Sequence, residues 1–187
     1  MKKAIVIGAC LMSVLLSISI VWTSCSDSKA QQTSNKNVAM AMLAGTKSDT
    51  TVEGMAKFTQ QKNGKVKMDF WVSIPAMAGH TVAVHIHEHG DCGGAGKDAG
   101  GHWNPTGKKH GRWGSAEFHS GDIGNIELNA NGGGKLTLET DLWSIGGDAN
   151  TNILDKSIII HSGIDDYTSQ PAGNAGTRIG CGVIKNK

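Results

Sequence analysis

The chain has 187 residues, enough for one domain with a real core once a leader is set aside. Glycine is frequent at 26 residues, aromatic residues are few and only three prolines occur, which suits short strands with glycine-rich turns and argues against a helical bundle. The formal net charge of +2 comes wholly from Lys2 and Lys3, so no basic stripe marks a nucleic-acid footprint and no such partner is expected.

The first segment in chain order is an address. "MKK" opens it, Ala4 to Trp22 is an uncharged apolar run, and "SDSKAQQTSNKN" then holds no core-forming residue. Residues 1–24 read as a signal peptide and 25–37 as a flexible polar linker ahead of a domain over 38–187. The small residues of "WTSC" resemble a bacterial lipoprotein cleavage site, at which Cys25 becomes the lipidated first residue. Trp22 fits that pattern poorly, and plain secretion or an uncleaved anchor are the alternatives. All three readings send the domain out of the cytosol, to the periplasm or cell envelope. The lipoprotein reading adds membrane attachment through Cys25. Cys92 and Cys181 are then left as a pair in an oxidising compartment, where a disulfide is expected.

From Val38 the pattern becomes strand-like. "VAMAMLAG" (38–45), "TVEGMAKFTQ" (51–60), "VKMDFWVSI" (66–74) and "TVAVHIHEH" (81–89) carry β-branched, aromatic and alternating residues between turn signals. "NIELNA" and "KLTLETDLW" alternate as well, and the "NGGG" between them predicts a hairpin. "SIIIH" (157–161) and "RIGCGVI" (178–184) complete about eight short strands, which predicts an all-β sandwich or closed barrel. Two stretches, 90–125 and 162–177, lack this rhythm and are long enough to expect function in them.

Histidines concentrate around these stretches. In an extended strand His85, His87 and His89 share one face, and both imidazoles of an H-x-H pair can reach one metal. An isolated H-x-H could equally be a solvated polar edge. The chain adds His102, His110, His119 and Asp122 in the first loop region, and His161 at the end of "SIIIH". Three histidines with a carboxylate suit zinc, whereas an imidazole-rich set suits copper. Filling both sets requires one histidine to serve twice.

The motifs "HIHEHGDC", "GGHWNPTGKKHG", "HSGDIGN" and "GNAGTRIGCGVI" together resemble the copper/zinc superoxide dismutases in their exported bacterial form, over about Val38 to Ile184. The resemblance implies an eight-stranded Greek-key β-barrel, a sandwich of immunoglobulin-like type, with two long functional loops. It implies dismutation of superoxide to dioxygen and hydrogen peroxide by a redox-cycling copper ion joined through a histidine to a structural zinc ion. Copper would be held by His85, His87, His102 and His161, and zinc by His102, His110, His119 and Asp122. His102 would bridge the metals as an imidazolate and pass a proton to the second substrate. Arg178 would attract and orient the anion, and Asp165 would hydrogen-bond His85 and His110. His80 and His89 are left over and are expected to bind no metal. The stretch from His161 to Arg178 is short beside the charged loop of the eukaryotic enzymes, so Lys108 and Lys109 become candidates for steering. The subunit state stays open, with a homodimer among the options. A second class of reading is a non-catalytic copper and zinc buffer or donor, which turnover would separate from an enzyme.

Overall fold

The computed structural model describes residues 37–187, so the expected leader, Cys25 and nearly all of the linker lie outside the described residues. Alternation sets the strands. In β1 (Val38–Gly45) Ala39, Ala41 and Leu43 turn inward, and in β3 (Val66–Ser73) Val66, Met68, Phe70 and Val72 do the same. Between them β2 (Glu53–Gln60) contributes Ala56 and Phe58. The remaining strands are β4 (Thr81–His87), β5 (Gly124–Glu127), β6 (Gly133–Thr140), β7 (Ser157–His161), β8 (Arg178–Val183) and a two-residue β9 (Lys185–Asn186).

Their spatial order is β5-β4-β7-β8-β1-β2-β3-β6, antiparallel throughout, with β9 added beside β1. The fold is all-β, an almost closed eight-stranded barrel. The connections β3 to β4 and β6 to β7 skip neighbours, as a Greek key requires. One apolar core fills it, with Phe58, Met68, Val84, Ile86, Ile158, Ile160 and Ile184 fully buried. Trp143 closes one end, edge-on to Phe58 at 5.7 Å between ring centroids, with its indole N–H donating to Ser120 O at 2.8 Å. Burying each of these large side chains stabilises by about 1.5–3 kcal/mol.

Three sequence expectations need correction. The "NGGG" turn is tight, with Gly132 N–H donating to Asn129 O, but β5 and β6 form no ladder. Every residue of β6 pairs with β3, and β5 pairs with β4, so the turn joins the two edges of the barrel. The strand expected through Trp143 stops at Thr140, whose hydroxyl accepts from Leu142 N–H and turns the chain toward the barrel end. Strand β4 ends at His87, so His89 does not continue the histidine face. Its N–H instead donates to Ala99 O.

Candidate metal centre

Strand β4 is buried on both faces from Val82 to His87. Val82, Val84 and Ile86 enter the core, while His85 and His87 point outward beneath a roof made by the two long loops. The first loop continues the hydrogen bonding of β4: Trp103 N–H donates to Ile86 O, Ile86 N–H to Gly121 O and Glu88 N–H to Gly101 O. This local pairing sets His102 opposite His87. The second loop adds its own bond, Ala83 N–H to Gly163 O at 2.9 Å.

Two groups of side chains converge under this roof. The ligand atoms of His85, His87, His102 and His161 lie within 4.8 Å of one another, and so do those of His102, His110, His119 and Asp122. All seven residues are buried, and His102 belongs to both groups. His80 and His89 are exposed and lie in neither.

Hydrogen bonds define which ring nitrogen is free. His87 Nδ1–H donates to Gly100 O at 3.0 Å and His161 Nδ1–H to Gly176 O at 3.4 Å, since a carbonyl only accepts. Their Nε2 lone pairs therefore face each other at 3.3 Å, an arrangement that a cation between them would stabilise. Asp165 reaches both groups, accepting from His85 Nε2–H and from His110 Nε2–H at 2.9 Å each. Their Nδ1 atoms, with His102 Nε2 and His119 Nδ1, are buried without a hydrogen-bond partner. His110 Nδ1 and His119 Nδ1 stand 3.0 and 3.2 Å from Asp122 oxygens, out of line for hydrogen bonds. Four orphaned nitrogens at one site would cost about 1–3 kcal/mol each without a partner, so the donor set fits two metal ions. Three nitrogens and a carboxylate suit zinc; four imidazoles suit copper.

Electrostatics agree with that chemistry. Burial pushes His87 down to about 2, aided by the neighbouring His102. Burial likewise takes His161 to about 3 and His102 to about 4, the latter against the pull of Asp122. These rings are neutral at pH 7, the form a metal requires. Burial also opposes charge on His110, but the nearby Asp122 carboxylate and the hydrogen bond to Asp165 outweigh it and raise the group to about 9, so a metal held there would displace a proton. Burial disfavours ionisation of Asp122 and Asp165, yet the histidines around them hold both well below the usual carboxylate range.

Arg178 reaches the same recess through a bulge. The β7–β8 register slips by one after Ile160, so His161 faces Arg178 and not Ile179. The slip sends Ile179 against the core and Arg178 to the outer face. The guanidinium donates to Gly96 O and Gly100 O at 2.6 Å and to Lys97 O at 3.3 Å. Gly100 O thus accepts from both His87 and Arg178. The Cys92–Cys181 disulfide, with Cα atoms 5.8 Å apart, ties that loop to β8. A cavity of about 320 Å³ opens above, lined by His87, His102, His161 and Arg178 among others.

Several contributors had no sequence signal of their own. Gln170 exchanges two hydrogen bonds with the His110 backbone, and Asn125 exchanges two with the Asp165 backbone. Gly173 has a φ of +67°, and a Cβ there would collide with the Asp165 carboxylate and His110. A neighbouring recess is lined by Lys47, Lys97 and Arg178, whereas Lys108 and Lys109 line neither cavity. Lys108 is spent on Ala116 O and on the Phe118 ring, 5.7 Å away.

An almost closed β-barrel with two histidine-rich groups under one loop roof defines a two-metal β-barrel protein. The family model for copper/zinc superoxide dismutase matches residues 52–184. Superoxide dismutase [Cu-Zn] 2 of Aquifex aeolicus is 41% identical over 108 residues, 56% of this chain and 63% of that protein. Superoxide dismutase [Cu-Zn] of Candida albicans is 35% identical over 152 residues, 78% of this chain and 96% of that protein. A crystal structure of the clock protein EA4 superposes with a TM-score of 0.71 at 31% identity, covering 81% of this chain and 95% of that one. The chain belongs to the copper/zinc superoxide dismutase family, a family of oxidoreductases whose metals are copper and zinc.

Proposed function

We propose that this chain dismutates superoxide: two superoxide ions and two protons give dioxygen and hydrogen peroxide. The observation that carries the reading is the pair of buried ligand groups sharing His102, with Arg178 on the same recess. His85, His87, His102 and His161 would hold copper, and His102, His110, His119 and Asp122 would hold zinc. Bound copper would supply one-electron exchange with each superoxide in turn, and zinc would fix the loop without redox chemistry. His102, deprotonated at both nitrogens, would join the two ions. Its Nε2, buried at the edge of the recess that His102 lines, would take up a proton when it holds no metal and give it to the departing peroxide. The Arg178 guanidinium attracts and orients the anion; burial lowers its pKa from 12.5, yet an arginine stays charged. Asp165 fixes the ring orientation of one ligand from each group.

The test is copper and zinc content measured together with superoxide turnover on the purified chain. Both metals with fast turnover are expected. His102→Ala should cut turnover on the order of a hundredfold or more, the scale of a lost proton donor. Both metals bound without turnover would favour the buffer or donor reading, and full turnover in His102→Ala would refute the bridge.

The Cys92–Cys181 disulfide supports an extracytoplasmic site of action. Export through residues 1–24, a linker over 25–37 and attachment by a lipidated Cys25 in the periplasm or cell envelope complete the proposal. Mass spectrometry of the purified chain should find the lipid on Cys25, and an unmodified, uncleaved N-terminus would refute it. Two copies would pair as a homodimer, and a monomer in sedimentation of the purified chain would refute that.

A further inference from the structure

The outer face of β1, β2 and β3 carries an unusual group of side chains. Apart from Met68 and Met77, which pack in or on the core, every methionine among the described residues lies here: Met40, Met42 and Met55. Met42 is directly opposite Met55, and Met55 is directly opposite Trp71. Met40 stands two residues from Met42 on the same strand and the same face. Met42 is 64% exposed and Trp71 39%, and neither Met40 nor Met55 packs on the core. Elsewhere on this face β2, β3 and β6 present Glu53, Lys57, Thr59, Lys67, Asp69, Lys135, Thr137 and Glu139. Large apolar residues are thus confined to one spot, and three of the four there carry sulfur.

We propose that Met40, Met42 and Met55, with Trp71 beside them, form a thioether site for a soft monovalent cation of the Cu(I) class. Thioether sulfur selects Cu(I) over hard or borderline cations because both partners are polarisable. Directly opposed residues in an antiparallel pair have Cβ atoms about 4.5–5.5 Å apart, and methionine has three rotatable bonds with which to bring its sulfur inward. The indole face of Trp71 offers the negative side of its quadrupole to a cation held by Met55. The neighbouring charges are mostly basic: Lys57 and Lys185 stand opposite Met40 and Lys135 opposite Trp71. Asp69, opposite Lys57, is paired with Lys67 at 2.9 Å, so a cation here would be held by the neutral thioethers and not by charge. Strand β8 separates β1 from the histidine-bearing strand β7, so the site is independent of the buried centre and of its function. A thioether site stays open in an oxidising compartment where a thiol would be lost to disulfide formation.

The experiment uses the purified chain loaded with copper and zinc, with any free thiol alkylated, and adds Ag(I) as a redox-inert probe for Cu(I). Equilibrium dialysis should find one further equivalent bound while copper and zinc are retained. The methyl NMR signals of Met40, Met42 and Met55 should shift while those of Met68 and Met77 stay, and Trp71 fluorescence should fall. The near-isosteric double variant Met42→Leu, Met55→Leu should fold with its copper and zinc unchanged. It should weaken Ag(I) binding by at least about a hundredfold, beyond the loss that a missing outer partner of a metal ligand causes. Equal binding by the variant, unshifted methyl signals, or equal shifts with Zn(II) would each overturn the proposal.

Discussion

Strands β3 and β4 both alternate apolar with polar residues, yet β3 turns every second side chain toward water and β4 is buried on both faces from Val82 to His87. The difference comes from what lies above them. Nothing among the described residues covers Lys67, Asp69 and Trp71, so polar side chains there keep their water. Above β4 and β7 two loops exclude water, and every polar atom that they enclose needs a partner inside the protein. Asp165, Gly100 O and Gly176 O satisfy one nitrogen each of His85, His87, His110 and His161, and the nitrogens left over converge in two groups. The same period-2 pattern thus yields a solvated wall on one side and a ligand cage on the other.

The comparison can be broken first at the disulfide, where the largest effect is expected. The bridge spans 89 positions, and the double variant Cys92→Ser, Cys181→Ser should lose about 4–5 kcal/mol in a denaturant titration. Turnover should fall with it, because the loop that holds Arg178 is released. Unchanged turnover in the folded variant would show that the roof does not depend on the bridge. Next is Asp165→Asn, which keeps the shape but loses one charged acceptor shared by two histidines. Metal affinity should drop about 10- to 100-fold in a chelator competition, with the solvated wall unaffected.

Acidity should also act on the roofed side alone. In the metal-free chain His87, His161 and His102 have folded values of about 2, 3 and 4 against an ordinary 6.5. Below 6.5 the unfolded chain therefore binds protons that the folded one refuses. Stability should fall as pH drops from 6.5 toward 4, by about 1.4 kcal/mol per pH unit for each group. His110 has the opposite sign: raised to about 9, its contribution is complete below 6.5 and lost as pH rises through 9. A stability maximum near pH 6.5 in urea titrations is expected, and a flat profile would contradict the burial argument.

Smaller effects sharpen the picture. Replacing Lys47 and Lys97 together by Ala should flatten the dependence of turnover on ionic strength, because both line the recess beside Arg178. The same change at Lys108 and Lys109 should leave the slope alone. Smallest of all, Lys67→Ala breaks an exposed ion pair on the solvated wall and should cost no more than about 1 kcal/mol, with metal binding intact.

Much of this was legible in the chain itself. Period-2 alternation is a local property, so β1 and β7 run from Val38 to Gly45 and from Ser157 to His161 just as the residues predict. The same alternation places His85 and His87 on one face, and the motif order names the seven residues that converge. Which strand pairs with which is a non-local choice, and there the sequence misleads: a turn that looks like a hairpin joins two barrel edges because β3 and β4 offer β6 and β5 full ladders. The slip after Ile160 that swings Arg178 onto the metal face, the Gly100 carbonyl shared by Arg178 and His87, and the space that Gly173 leaves for Asp165 have no local signature. They exist only once distant segments pack, because a buried polar group takes its partner from whatever the fold brings within reach.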